Sequence, residues 1–314
     1  MDVVFCADRR VIPGLHVAAR SALENYRGTD LRVTVFTDTL TEDDRALLRQ
    51  TLDLPAKPCY LEFRNLDTHE FRGFTPLNGS YAPYFRLHAA QAMETPRFIY
   101  LDVDTVCGLD LSELEFISLS GKPVAWVPEA PMGDCADEGV KARCSSGDGF
   151  YFNSGVMLVD TVAWKLREVT PRAMEYLAVN RAEFWDQSAL NLILQYDSVL
   201  LEERFNTISN MRRHWPLLKA GVLPPRILHF ADNPKPWDLG AEFVHPHHYL
   251  WNSVLQRTAL KSFRSWHDTP ARKWPFSAKA RAGYRKTFKD RVLFGGYSSG
   301  WLASVKGISP IEQD

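Results

Sequence analysis

Long apolar runs are missing from this chain of 314 residues. Its unbroken apolar stretches, such as Val3 to Ala7 and Val156 to Val159, fall far short of the ~20 residues that a membrane-crossing helix needs. No basic segment precedes a long apolar one near the N-terminus, so no secretory leader is expected. Cysteine is scarce: Cys6, Cys59, Cys107, Cys135 and Cys144 are odd in number and form no C-x-x-C pair. That pattern argues for reduced thiols in a cytosolic protein and against a zinc site. Glycine is thin where a phosphate loop would need it, since residues 7–14 hold only Gly14. The lack of a G-x-G-x-x-G after the first apolar run argues against a dinucleotide oxidoreductase, and the lack of any Gly-rich loop there argues against a nucleotidyltransferase or phosphohydrolase. Neither sign of charge predominates, for 37 Lys and Arg face 38 Asp and Glu. At 45% hydrophobic and 24% charged residues, the composition is that of a globular chain with a sizeable core; collagen-like, disordered and disulfide-framework classes are excluded.

The neutral average conceals an uneven distribution. Residues 261–291 hold ten Lys and Arg against Asp268 and Asp290, a local balance of +8, so the remainder of a chain of net charge −1 carries −9. Phe263, Trp266, Trp274, Phe276, Tyr284 and Phe288 are interleaved with the basic residues. Nucleic acid is disfavoured as a partner, because the acidic remainder would repel phosphate. An anionic membrane surface fits better, at ~1 kcal/mol for each basic residue near the leaflet, with the aromatics buried at the interface. A docked C-terminal helix pair with snorkelling lysines is the alternative. The composition shift near residue 250 predicts a catalytic body over 1–250 and a basic, aromatic segment over 251–314.

Strands are predicted at Val3–Ala7, Leu31–Phe36, Arg97–Leu101, Val156–Val159 and Arg226–Phe230, and helices over Pro13–Tyr26, Thr41–Leu52, Tyr81–Met93, Thr170–Val179 and Gln187–Leu194. Such alternation predicts an α/β fold with a mainly parallel sheet covered by helices on both faces. Met132–Phe150, rich in Gly, Asp and Ser, reads as a loop large enough to be a lid.

Chemistry concentrates at a few points. The strand Phe98-Ile99-Tyr100-Leu101 runs into Asp102-Val103-Asp104, so two carboxylates can share one face while Val103 points away. At about 4 Å they would repel by ~4 kcal/mol at an effective dielectric near 20, which favours a shared proton or a hard cation such as Mg²⁺ or Mn²⁺. Solvated turn aspartates are the plainer alternative. His229, near the end of a later strand, can complete a ligand set, which suits Mn²⁺ better than Mg²⁺. Lys235 stands between Pro234 and Pro236, a point charge on a stiff segment suited to phosphate; taken singly, the two residues read equally as a core histidine and a surface lysine. Asn153-Ser154-Gly155 would let a ligand approach the backbone before a buried strand, or be an ordinary loop-to-strand junction. Asp186 reads as a helix N-cap or a site carboxylate, and His245, His247 and His248 as a metal site or an ordinary loop.

Together these segments resemble glycosyltransferase family 8, over roughly residues 1–240. The resemblance rests on Val3-Val4-Phe5-Cys6-Ala7-Asp8, Tyr84-Phe85-Arg86-Leu87, Asp102-Val103-Asp104, Phe152-Asn153-Ser154-Gly155-Val156, Trp185-Asp186-Gln187 and His229 to Trp237. It implies a GT-A fold and retaining transfer of a hexose from a UDP-sugar with Mn²⁺, onto a glycan or glycolipid such as lipopolysaccharide or capsule. By that resemblance Asp102, Asp104 and His229 bind the metal, Lys235 holds the diphosphate, and Ala7 and Asp8 meet the uridine. Arg86, Glu129, Asn153, Ser154, Asp186 and Gln187 line the sugar pocket, with Gln187 beneath the anomeric carbon; the resemblance favours front-face attack with Gln187 orienting the sugar, while a covalent route, left open by the sequence, would take Asp186 as its nucleophile. Val103 belongs to the motif itself. Galactose, glucose and galacturonic acid all fit the donor side, and Glu129, ill placed beside a uronate carboxylate, tilts the expectation to a neutral hexose. The basic tail resembles those with which bacterial members sit on the inner face of the cell membrane. Two positions depart from the family: Asp232 replaces a glycine whose backbone approaches the phosphate, which weakens diphosphate binding unless the side chain turns outward, and Val11 replaces a base-stacking aromatic; with them a non-catalytic relative that binds the nucleotide sugar stays open as the alternative.

Overall fold

A seven-stranded sheet organises the residues that the computed structural model describes, namely 1–77, 79–144, 148–209, 223–239, 241–264, and 285, 286, 288, 289, 292 and 293. Its order is β3 (Cys59–Asn65), β2 (Leu31–Thr37), β1 (Asp2–Cys6), β4 (Arg97–Leu101), β7 (Phe150–Asp160), β6 (Val124–Pro131) and β8 (Ser198–Leu200). The first four strands run parallel. β7 is antiparallel to both β4 and β6, and β8 returns parallel to β6. The expected mainly parallel sheet is therefore present, with one reversal at the strand beside β4.

Both faces are covered, as the alternation in β1 requires. Val3 and Phe5 enter one apolar cluster with Leu15, Ala18, Ala19 and Ala22 of α1 (Ile12–Glu24). Val4 and Cys6 enter the other with Tyr84, Phe85 and Leu87 of α3 (Ala82–Ala92). The intervening α2 (Glu42–Leu52) starts at a capping box in which Thr41 and Asp44 satisfy each other's backbone N–H, worth about 1 kcal/mol. Besides three strands of two or three residues, two longer ones escape the sequence pattern. β3 is an edge strand whose residues are only partly buried, so its alternation is weak. β6 contains Pro128 and Pro131, and is tolerated because its pairing with β7 shifts register around Pro128.

The segment expected to be a loop, 132–150, carries structure of its own. A 3-10 turn at Met132–Asp134 and the short α4 (Glu138–Lys141) pack Met132, Cys135, Val140 and Cys144 against Tyr151. α5 (Thr161–Leu166) and α6 (Val169–Val179) lead to α7 (Trp185–Leu194), whose Ala189, Leu190 and Leu194 are buried on the α3 face. A second sheet pairs β10 (Ile227–His229) with β5 (Thr105–Cys107) and β9 (Thr207–Ile208). Its antiparallel register sets His229 opposite Thr105, which brings the late histidine to the end of β4. After α8 (Ala241–Val244), α9 (His248–Leu255) buries Trp251, Val254 and Leu255 in the cluster of α1, and residue 250 lies within it. The basic stretch 261–291 falls mostly outside the described residues.

Candidate active site

Asp102 and Asp104 occupy the turn between β4 and β5, and Val103 between them turns into the core, as the alternation predicts. Tyr100 Oη donates to Asp102 Oδ1 at 2.7 Å, and Arg86 Nη2 donates to the same oxygen at 3.0 Å. Asp102 Oδ2 is left facing His229 Nε2 at 3.7 Å. Asp104 Oδ2 accepts from Lys235 Nζ at 2.6 Å, while its Oδ1, buried without a hydrogen-bond donor, lies 3.2 Å from His229 Nε2. Burial works to raise the Asp104 carboxyl; the Lys235 ammonium foremost, with the His229 ring beside it, outweighs that and holds it below the usual range. Among the described residues, these three side chains form the group able to hold a metal ion, their ligand atoms all within 4.8 Å of one another.

The hydrogen-bond network dictates which histidine nitrogen faces the carboxylates. Gly155 N–H donates to Asn153 Oδ1 at 3.0 Å, so that atom is the amide oxygen. Asn206 must then turn its nitrogen to it, at 2.9 Å, which leaves Asn206 Oδ1 against His229 Nδ1 at 2.9 Å. The Nδ1 proton is thereby assigned, and Nε2 is the ring nitrogen that faces the two carboxylates. A nitrogen turned onto two carboxylate oxygens calls for a positive charge between them, a proton or a metal ion, and one imidazole with two carboxylates is a donor set that fits a hard divalent metal. Gly155 makes the approach possible: a Cβ there would lie 2.2 Å from His229 Cε1 and 2.8 Å from Asp102 Oδ2.

Asn206 was not legible beforehand; an isolated asparagine before a two-residue strand carries no spacing signal. Tyr100 carries no such signal either, and the histidines 245, 247 and 248, read as a metal site or an ordinary loop, do not join the metal-binding group among the described residues. His245 and His248 grip the stiff loop instead, since His245 Nε2 meets Pro234 O and His248 Nε2 meets Pro236 O at 2.9 Å. Lys235 N–H donates to Asp238 Oδ2 at 2.7 Å, and the ammonium also donates to the carbonyls of Phe230 and Ala231.

Residues 2–240 match the model of the glycosyl transferase family 8. The chain belongs to that family. Over 97% of its length it is 26% identical to lipopolysaccharide 1,2-glucosyltransferase of Escherichia coli, covering 89% of that protein. It is 23% identical to lipopolysaccharide glucosyltransferase WaaO of the same organism, across 95% of this chain and 88% of that one. The galactosyltransferase LgtC, solved with donor and acceptor sugar analogues, superimposes with a TM-score of 0.68 at 22% identity, over 82% of this chain and 96% of that one. The fold is thus GT-A, as expected, and the protein is a glycosyltransferase of family 8.

Of the residues that the family resemblance assigned to the sugar pocket, Ser154 and Asp186 meet Arg86, Gln187 meets Ser154, and Glu129 meets Asn153. The Arg86 guanidinium, 7% exposed, donates to Ser154 O and Ser154 Oγ, each at 2.7 Å, and lies 2.9 Å from Asp186 Oδ2. Burial pushes the Asp186 carboxyl up to about 7 even with Arg86 pulling the other way. Asp186 is not the N-cap of α7, a position held by Phe184, but lies in its first turn behind Trp185, whose φ of 52° is left-handed. Gln187 Oε1 accepts from Ser154 N at 3.0 Å and Ser154 Oγ at 3.2 Å. Glu129 Oε2 accepts from Asn153 Nδ2 at 3.2 Å. Ala7 closes β1 with its side chain in the core, and Asp8 caps the turn Arg9–Val11 by accepting from Arg10 N at 2.8 Å. Asp232 is turned toward Lys286 Nζ, 3.3 Å away. Among the described residues, no helix is long and apolar enough to cross a membrane.

Proposed function

We propose that this glycosyltransferase moves a neutral hexose, galactose or glucose, with retention from a UDP-sugar to a glycan or glycolipid acceptor, with Mn²⁺ at Asp102, Asp104 and His229. The observation that carries the reading is the convergence of His229 Nε2, Asp102 Oδ2 and Asp104 Oδ1, with His229 Nδ1 committed to Asn206. When bound, the metal supplies a Lewis acid for the leaving diphosphate. Lys235, on a loop gripped by His245 and His248, adds a second positive charge where negative charge develops. Ala7 and Asp8, at the end of β1, suit the uridine. In transfer, the acceptor hydroxyl bonds to the anomeric carbon as the bond to the diphosphate breaks, and its proton passes to the departing phosphate oxygen.

Asp186 is buried and engaged by Arg86, which favours a role in anchoring the pocket over one as a covalent nucleophile. That supports attack on the leaving-group face, with Arg86, Glu129, Asn153, Ser154 and Gln187 orienting the sugar. The basic segment 261–291 would sit on an anionic membrane next to a lipid-linked acceptor, and names of relatives that act on lipopolysaccharide favour such an acceptor. The test is calorimetric titration of UDP with Mn²⁺ and then with a chelator. Binding that needs the metal and is lost in Asp104→Asn is expected; metal-independent binding in both proteins would overturn the assignment.

A further inference from the structure

Gln187 is held at both ends of its amide, and the two ends lead to opposite charges. On one side Arg86, which can only donate, gives a proton to Ser154 Oγ at 2.7 Å. The hydroxyl must therefore send its own proton onward, to Gln187 Oε1 at 3.2 Å, where Ser154 N–H also arrives. Both lone pairs of that oxygen are engaged. On the other side Gln187 Nε2 donates to Tyr151 Oη at 3.2 Å, and Tyr151 Oη donates to Asp137 Oδ2 at 3.2 Å. Burial pushes the Tyr151 phenol far above its ordinary range, so it keeps its proton to donate.

Asp137 lies in the 132–150 segment, 1% exposed, with no basic side chain among its hydrogen-bond partners. Its Oδ1 accepts from Val140 N–H at 3.0 Å, and its Oδ2 accepts from Ser188 Oγ as well as Tyr151. Ser188 Oγ in turn takes Phe184 N–H at 2.9 Å, so it too must donate to the carboxylate. Every donor in the chain points from the Arg86 cation to the Asp137 anion.

We propose that Asp137, acting through Tyr151, fixes the Gln187 amide with its oxygen on Ser154 and its nitrogen on Tyr151, so that Gln187 meets the donor sugar as an N–H donor. Asp137 is then a positioning residue for sugar transfer. The inference rests on the donor-site reading above for its meaning, though not for its geometry. It also explains why a carboxylate is buried in a small apolar cluster beside the pocket: a neutral amide at 137 would reverse the chain. In Asp137→Asn, Val140 N–H retains the oxygen at Oδ1, and the introduced nitrogen donates to Tyr151 Oη. The phenol proton must then turn to Gln187, which can accept it only by rotating its oxygen away from Ser154.

The test has two arms. With selective ¹⁵N-glutamine labelling, the Gln187 side-chain resonance, identified by its loss in Gln187→Met, is expected to shift in both Tyr151→Phe and Asp137→Asn without any ligand. In turnover of UDP-galactose or UDP-glucose, Asp137→Asn is expected to lower kcat by about tenfold, the value of one oriented hydrogen bond to a buried group, with the donor KM within about threefold. Tyr151→Phe should cost less, and the double variant should match Tyr151→Phe alone, because the reversed phenol is gone. Losses that multiply in the double variant would overturn the proposal, as would a Gln187 resonance unmoved by Asp137→Asn. Absence of turnover in the wild type with either sugar would count against the donor-site reading, and the resonance arm would still decide the relay.

Discussion

Substituting Gly155 by alanine tests the metal site at its tightest point. The new Cβ would lie 2.2 Å from His229 Cε1, 2.7 Å from Nδ1 and 2.8 Å from Asp102 Oδ2. Ordinary contact begins near 3.4 Å, so the ring has to withdraw by about 1 Å, whereas metal–ligand distances tolerate about 0.2 Å. The imidazole cannot retreat freely: it is 3% exposed, tied to Asn206 at Nδ1, and placed by the β10–β5 register. The overpacking should cost about 1–3 kcal/mol of stability, and Mn²⁺ affinity should fall at least ~10-fold, the scale on which misplaced ligands are felt. Titration calorimetry with Mn²⁺ and UDP, beside thermal melts, separates the two effects. Gly73→Ala, where the added Cβ meets nothing within 4 Å, serves as the silent control. Mn²⁺ affinity within about threefold of wild type in Gly155→Ala would refute the reasoning that this glycine exists for the approach of His229 to Asp102.

The buried histidines give a pH dependence with a definite sign. Burial pulls His16 and His245 each down to about 4. Between that value and the ordinary 6.5 the unfolded chain binds protons that the native one refuses, so stability is full above pH 6.5 and drains as pH falls toward 4. His16→Gln should flatten this slope by up to about 3 kcal/mol; equal slopes in urea unfolding from pH 7 to 4 would sink the argument. Asp186→Ala removes one of the two carboxylates beside buried Arg86, whose Nε also donates to Pro83 O, and should lower unfolding stability by about 1–3 kcal/mol. A loss below about 1 kcal/mol would mean that Asp102 and Ser154 suffice for Arg86, while transfer kept within a few-fold of wild type would remove the covalent route.

What could be read from the residues in order was whatever is local. A buried strand ending in Asp102-Val103-Asp104, a capping Thr41 and an apolar stripe on α1 declare themselves over a few positions, because strand alternation and helix period are short-range rules. The edge strand β3 and the proline-bearing β6 did not, since half-exposure blurs alternation and a bulge breaks it. The site itself joins distant positions. Lys235 meets Asp104 across 131 residues, and Asn206 meets Asn153 across 53 and His229 across 23. Which nitrogen of His229 faces the carboxylates, and which way Gln187 turns, depend on donors matched to acceptors along chains of such contacts. A sequence names the groups that can donate and accept; only the packing of β7, α7 and β10 around the end of β4 settles the direction in which each proton points, because a hydrogen bond is satisfied in three dimensions or not at all.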